Sequence, residues 1–124
     1  MTDEDTALIL QTHGVDQPNR TYAPLFYAMT AEAMELDTTM WFTMDGTSQM
    51  AKGAAEEVQI DPSTDVTLRT MIDRALDAGV KLTVCHQSME LFDLGEEDII
   101  DEAEIVGAAS IIDLSLDADM VMYF

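Results

Sequence analysis

The chain alternates between short apolar runs and longer stretches with helical spacing. The first run, TALILQT at residues 6–12, is bounded by polar residues, which is typical of a buried parallel strand. From Thr21 onward apolar residues recur every three or four positions, and Pro24 falls in the first turn, so an amphipathic helix is predicted. The residues expected on its buried face are Tyr22, Leu25, Phe26, Met29, Ala33 and Leu36.

The middle of the chain repeats this alternation. Residues 38–44, TTMWFTM, predict a second strand, and the Asp-Gly pair at 45–46 ends it with a turn. Residues 47–60 indicate a short irregular helix, and the DPST sequence at 61–64 gives a break followed by a helix N-cap. That helix is expected to run to Gly79 and to bury Leu68, Met71, Ile72, Ala75 and Leu76.

The last third begins with the clearest strand pattern of the chain. In residues 80–85, VKLTVC, apolar and polar residues alternate, and Cys85 is expected to end the strand. Residues 86–92, HQSMELF, change to helical spacing that stops at Gly95. The remaining predictions are an acidic helix or loop at 96–103, a strand at 104–107, a helix at 108–116 and a final strand at 120–124.

Strands and helices in strict alternation, joined by short connections, predict an α/β fold with right-handed crossovers. We expect a three-layer α/β/α sandwich with a mostly parallel five-stranded sheet. The length of 124 residues fits one domain over residues 1–124.

Acidity is the strongest compositional feature. Twenty-five Asp and Glu oppose five Lys and Arg, for a net charge of -20, yet 48% of the residues are hydrophobic, so the charge must lie on a folded surface. This field excludes nucleic acid and anionic membranes as partners. The composition resembles that of proteins from extreme halophiles, and it predicts a melting temperature that rises with added KCl because salt screens the repulsion.

One cysteine permits no internal disulfide, and the start of the chain lacks a signal-peptide pattern. No apolar run approaches the roughly 20 residues of a membrane span. We therefore expect a cytoplasmic protein without a membrane partner.

Cys85 is the main candidate for chemistry. At a strand-to-helix junction, unpaired backbone N–H groups and the helix dipole favour the thiolate. The backbone amides of His86, Gln87 and Ser88 and the Ser88 hydroxyl are candidate donors to it. The alternative is that Cys85 is a small apolar filler of the core.

His13 and Gly14 follow the first strand. Because ligands usually bind at the carboxyl ends of strands in open α/β sheets, we expect these two residues to face the same crevice as Cys85. A hydrogen-bonded structural histidine is the alternative. GxxxxGK[ST], GxGxxG and CxxC motifs are absent, and Cys85 beside His86 is too few ligands for zinc, so neither a cofactor nor a metal is expected.

The C-terminal half resembles the DsrE/DsrF-like family, which is related to sulfur-relay proteins and often labelled predicted peroxiredoxins. The resemblance rests on the strand ending in Cys85 and on Ser88-Met89, Leu94-Gly95, Asp98 with Ile99, Glu104 with Gly107-Ala108-Ala109, and the apolar closing strand. The N-terminal half agrees through the first strand, the helix near Tyr22, and WFTMDG followed by Ala51-Lys52-Gly53.

The resemblance implies a flavodoxin-like fold, a homotrimer or homohexamer, and a cysteine matching Cys85 that carries sulfane sulfur as a persulfide between donor and acceptor proteins or small sulfane-sulfur species. It therefore favours a small cytoplasmic sulfur carrier or sulfurtransferase-like protein. Transfer between two cysteines of one chain is excluded, because Cys85 is the only one. The alternatives are a non-catalytic oligomeric binding or regulatory module, a thiol redox sensor, and a peroxidase without its own resolving cysteine.

Overall fold

The computed structural model describes residues 5–124. The strands are β1 (Thr6–Gln11), β2 (Asp37–Phe42), β3 (Lys81–Cys85), β4 (Ala103–Val106) and β5 (Met120–Tyr123). The α-helices in this range are α1 (Tyr22–Ala33), α2 (Leu68–Ala78), α3 (His86–Leu91) and α4 (Ala108–Asp117). Short 3-10 turns occupy Pro18–Arg20, Met44–Met50, Ala55–Glu57 and Glu96–Asp98.

The five strands form one sheet in the order β4-β3-β2-β1-β5, and every pairing is parallel. From β1 to β4 each strand is added on the same side of the previous one. The last connection runs back across the sheet and puts β5 on the other side of β1. Since crossovers are right-handed, α4 covers the face opposite to the one that α1 and α2 share. The predicted three-layer fold is confirmed.

The core lies between the sheet and the helices α1 and α2. Side chains alternate across a strand, so every second residue of the central strands faces these helices. Ile9, Phe42 and Val84 are each 0% exposed there. Complete burial of such a side chain stabilises the fold by roughly 1.5–3 kcal/mol relative to leaving it in water. This packing holds the central strands in place relative to α1 and α2.

The buried face of α1 differs from the predicted one. Its buried residues are Pro24, Leu25, Ala28 and Ala31. Tyr22 and Phe26, which were expected in the core, are 40% and 61% exposed, and Ala33 is also exposed. The stripe of α1 that faces inward therefore contains two small alanines, and the larger aromatic rings remain outside.

Three element boundaries also differ from the predictions. Residues 47–60 contain 3-10 turns instead of an irregular α-helix. The N-cap of α2 is Thr67, which forms a capping box with Thr70. The helix α3 ends at Leu91 and not near Gly95, because the chain leaves it through Asp93 at a φ of +54°. Within residues 5–124, no helix is both long and apolar enough to cross a membrane.

Candidate functional site

Cys85 ends β3 and directly precedes α3, as the alternating pattern predicted. It pairs with Val106 of β4 on one side, while β2 lies on the other. The side chain is 4% exposed. The thiol is therefore held at the carboxyl edge of the sheet but is almost completely covered in the single chain.

Two buried hydroxyl groups surround this thiol. Thr43 and Ser88 are 8% and 4% exposed, and their side-chain oxygens lie 3.2 Å apart. The backbone N–H of Met44 donates to Ser88 Oγ at 2.8 Å. The polar groups that lower the pKa of Cys85 are these two hydroxyls and the backbone N–H groups of Ser88 and Gln87. The surroundings of the thiol are therefore partly polar and not purely apolar.

The pKa of Cys85 reflects two opposing effects. Burial is the largest single effect and raises the pKa, because a charged sulfur loses its hydration. The hydrogen bonds from Ser88, Thr43 and the backbone of Ser88 and Gln87 stabilise the thiolate and lower the pKa. Together they outweigh burial, so the pKa lies below its ordinary value. The thiolate, which is the reactive form, is consequently favoured.

Exposed apolar side chains lie on the two segments that supply these polar groups, the loop after β2 and the helix α3. Met44, which follows Thr43, is 57% exposed and adopts a φ of +52°, a left-handed conformation that is costly for a residue other than glycine. Leu91 and Phe92, at the end of α3, are 77% and 39% exposed. The backbone of Met44 therefore links the hydrogen bonds around Cys85 to the molecular surface.

The predicted site residues near Cys85 divide into two groups. Ser88 contributes its hydroxyl and its backbone N–H, and Gln87 contributes its backbone N–H. The side chains of His86 and Gln87 are exposed. Thr43 was missed by sequence reasoning. The β2–β3 register that pairs Phe42 with Val84 carries the signal, because it makes Thr43 and Cys85 the next neighbours.

His13 and Gly14 are not brought to Cys85. The strand β2 separates β1 from β3, so the ends of β1 and β3 lie two strand spacings apart, about 10 Å. His13 lines a different cleft, together with Asn19, Arg20, Ala23, Pro24 and Phe124. The expectation of one shared crevice is therefore corrected: crossing a single strand is enough to divide the edge into two sites.

Gly14 has a packing role. A Cβ atom at this position would lie 2.2 Å from the carbonyl oxygen of Asp45 and 2.3 Å from Ser48 Oγ. Only glycine permits the loop after β1 to approach the loop after β2 this closely. Elsewhere, within residues 5–124, no three His, Cys, Asp or Glu side chains are grouped so that they could hold a metal ion.

Comparison with known proteins identifies similar sequences and similar folds. The model of the DsrE/DsrF-like family matches residues 5–124. The uncharacterized protein MJ0760 of Methanocaldococcus jannaschii is 30% identical over 112 residues, which are 90% of this chain and 40% of that protein. The chain thus spans less than half the length of this relative.

Solved structures share the fold at low sequence identity. The ychN protein from E. coli superposes with a TM-score of 0.80 at 17% identity, covering 97% of this chain and 99% of that one. The protein MTH1491 from Methanobacterium thermoautotrophicum gives a TM-score of 0.74 at 10% identity, covering 97% and 100%.

Proposed function

This chain belongs to the DsrE/DsrF-like family, which is associated with sulfur relay, and we propose that it carries sulfane sulfur as a persulfide on Cys85. The observation that supports this most is the polar pocket of the thiol. Two buried hydroxyls and two backbone N–H groups lower the pKa of Cys85 despite its burial. Such a pocket favours a nucleophilic sulfur over an inert one.

The transfer takes place in two balanced displacements without net oxidation. In the first, the Cys85 thiolate attacks the outer sulfur of a donor persulfide, a new S–S bond forms, and the donor leaves as a thiolate. In the second, an acceptor thiolate attacks the outer sulfur on Cys85. The bond between the Cys85 sulfur and the outer sulfur breaks, the acceptor becomes the persulfide, and Cys85 departs as a thiolate. A thiolate with a lowered pKa is the better leaving group in this second step.

The same donors serve both displacements. The Ser88 and Thr43 hydroxyls stabilise negative charge on Cys85 before the first attack and again after the second. Because Cys85 is 4% exposed, the sulfur donor must displace part of the cover. Met44 donates its N–H to Ser88 Oγ and has a strained backbone conformation, so the loop after β2 is the segment that we expect to move.

The decisive experiment is intact mass spectrometry after incubation with a sulfane-sulfur source. We expect one added sulfur on the wild-type chain, removed by reductant, and none on Cys85→Ser. Ser115→Ala is the matched control, because the Ser115 hydroxyl donates to the Ile112 carbonyl within α4, away from Cys85. Full sulfur loading of Cys85→Ser would end the proposal.

A second function is supported by the burial of Cys85, which suits a binding or regulatory module whose thiol is structural or acts as a redox sensor. Iodoacetamide separates a sulfur carrier from a module with a structural thiol, whereas a redox sensor, whose thiol is also reactive, differs from the carrier in the sulfur-loading experiment. A thiolate with a lowered pKa that is reached by loop movement is alkylated near neutral pH, whereas a structural thiol stays unmodified until the chain unfolds. In either case a reducing compartment such as the cytoplasm keeps the thiol available.

We also propose that the chain forms a homo-oligomer, a trimer or a hexamer. The face covered by α4 leaves large apolar side chains in water: Ile112, Leu116, Val121 and Tyr123 are 49–78% exposed. Patches of this kind mark interaction surfaces. Light scattering after size exclusion tests the proposal. Leu116→Glu should lower the mass of the oligomer. The control is Met34→Glu, an equally drastic change just after α1, where Met34 is 70% exposed, and it should leave the mass unchanged. A monomeric wild type would contradict it.

A further inference from the structure

We propose that a second site lies beside β1, in the cleft lined by His13, Asn19, Arg20, Ala23, Pro24 and Phe124, and that it binds a small organic anion with an apolar body. The cleft has a volume of about 390 Å³, within the roughly 300–1,000 Å³ typical of small-molecule sites. It is separate from Cys85, so the inference does not depend on the proposed sulfur chemistry.

The position of the cleft in the sheet is the first argument. Sheet order runs from β1 towards β4 on one side, and β5 lies alone on the other side of β1. The direction in which strands are added to the sheet therefore reverses between β1 and β5. In open parallel sheets, ligands bind outside the carboxyl ends of the strands at this reversal. The cleft is bounded by His13, just after β1, and by Phe124, just after β5.

Charge is the second argument. The sequence has 25 acidic and five basic side chains. Lys52, Arg69 and Lys81 are each bridged to a carboxylate. Within residues 5–124, no carboxylate lies within salt-bridge distance of Arg20 or Arg74, and Arg20 lines the cleft. Neither the turn that holds Arg20 nor the first turn of α1 contains an acidic residue. The cleft therefore contains a guanidinium without a carboxylate partner among residues 5–124, in a chain of net charge -20.

A buried glutamine, Gln11, hydrogen-bonds to the backbones of both Arg20 and His13. Gln11 is 0% exposed, and its side-chain amide donates to the Arg20 carbonyl at 3.1 Å. The amide oxygen of the same residue accepts the His13 N–H at 2.9 Å. Gln49, also 0% exposed, donates to the His13 carbonyl at 2.7 Å. Both backbones are therefore fixed from inside the protein, which leaves the His13 and Arg20 side chains free to meet a ligand in a preorganised geometry.

The lining determines the class of ligand. Arg20, the Asn19 amide and His13 supply hydrogen-bond donors that suit a carboxylate or a phosphate group. Ala23, Pro24 and the Phe124 ring supply an apolar wall, and Phe124 is stacked on Tyr27 with ring centroids 5.6 Å apart. The Phe124 backbone oxygen is turned to Thr12, whose N–H and hydroxyl both donate to it. The ligand therefore combines an anionic group with an apolar or aromatic body.

Calorimetric titration of the folded chain at one fixed salt concentration tests this site with four probes: benzoate, phenyl phosphate, inorganic phosphate and benzamide. We expect benzoate or phenyl phosphate to bind, and whichever binds tighter identifies the anionic group. Benzamide lacks the charge and inorganic phosphate lacks the apolar body, so both should bind at least about tenfold more weakly, as expected when a charge-assisted hydrogen bond or apolar burial is lost.

Arg20→Gln should weaken binding about tenfold or more, because it removes the charged donor. Arg74→Gln is the matched control: it makes the same charge change on α2, where Arg74 contacts only the Met71 sulfur among its hydrogen-bond partners within residues 5–124, and it should leave affinity within about twofold, as for a distant surface charge. Cys85→Ser should bind like the wild type. The proposal is overturned if no aromatic anion binds, if benzamide binds equally well, or if Arg20→Gln and Arg74→Gln behave alike.

Discussion

The corner around Cys85 and the cleft around Arg20 lie on the same edge of the sheet but differ in almost every physical property. At Cys85 the polar groups turn inward, onto a thiol that is 4% exposed. At the cleft the buried amide of Gln11 holds the backbone, and the charged side chain of Arg20 is exposed. One corner protects a reactive atom, whereas the other presents a charge to the solvent.

The order of the strands explains this difference. Cys85 ends a strand with neighbours on both sides, so the residue after β2 and the helix after β3 close over it. The cleft lies where the chain direction reverses, and there the helix after β1 turns away from β5. Space remains open at that point. Whether a strand end is closed or open is therefore decided by the order of strands in the sheet.

Two glycines keep the loops between these corners in contact, and Gly46→Ala is the change with the largest expected effect. A Cβ at Gly46 would lie 2.2 Å from the Gln11 carbonyl oxygen, a backbone atom that cannot move aside. We expect the free energy of unfolding to fall by about 3 kcal/mol, the upper end for overpacking. Urea denaturation followed by circular dichroism measures it.

Gly107→Ala is the matched control for that experiment. A Cβ at Gly107 meets nothing within 4 Å, and its φ of -92° suits any residue. The free energy of unfolding should therefore change by less than about 1 kcal/mol, the size of a lost or gained cap preference. Equal losses for the two variants would mean that the close contact at Gly46 does not join the corners.

Ser88→Ala is expected to have the next largest effect, confined to the Cys85 corner. The Ser88 hydroxyl lowers the pKa of the thiol and accepts a hydrogen bond from the Met44 N–H at 2.8 Å. Its loss leaves that N–H unpaired, which costs about 1–3 kcal/mol of stability. It also raises the pKa of Cys85, so iodoacetamide alkylation at neutral pH should be several-fold slower. Ser115→Ala should change neither quantity, and an unchanged alkylation rate for Ser88→Ala would show that the hydroxyl does not activate the thiol.

Sequence reasoning predicted the closed corner better than the open one. The alternation in residues 80–85 was enough to put Cys85 at a strand end, because a strand has a period of two and its end is marked by the change to helical spacing. The same reasoning found the five strands in order. The position of each strand and of its end depends on neighbouring residues, so a local sequence pattern is enough to predict it.

The features that were missed depend on contacts between distant parts of the chain. Thr43 reaches Cys85 only through the β2–β3 register. Arg20 is significant because Gln11 holds it and because no nearby acid pairs with it, neither of which a local pattern records. The buried face of α1 was misjudged because Ala28 and Ala31 lie on it, whereas the spacing of the larger apolar side chains indicated a different stripe.

The pH dependence of stability sharpens the comparison further, because only the Cys85 corner contains a thiol. The folded pKa of Cys85 is below its ordinary value, which the thiol regains in the unfolded chain. The stability that Cys85 contributes is therefore complete above the unfolded pKa and is lost as the pH falls through the folded pKa. We expect the free energy of unfolding of the wild type, minus that of Cys85→Ser, to increase as the pH rises towards about 8.5. A difference that stays flat or decreases would show that the donors do not outweigh burial.

The smallest expected effect is that of His13→Gln on Cys85, and it is the direct test of whether the two corners are independent. His13 lies at the end of β1, with β2 between it and Cys85. About 10 Å of separation is about one Debye length at 0.1 M salt, so an imidazole has little electrostatic influence on the thiolate. Alkylation of Cys85 in His13→Gln at neutral pH should therefore match the wild-type rate. A clear difference in rate between the two proteins would mean that the edge works as one site.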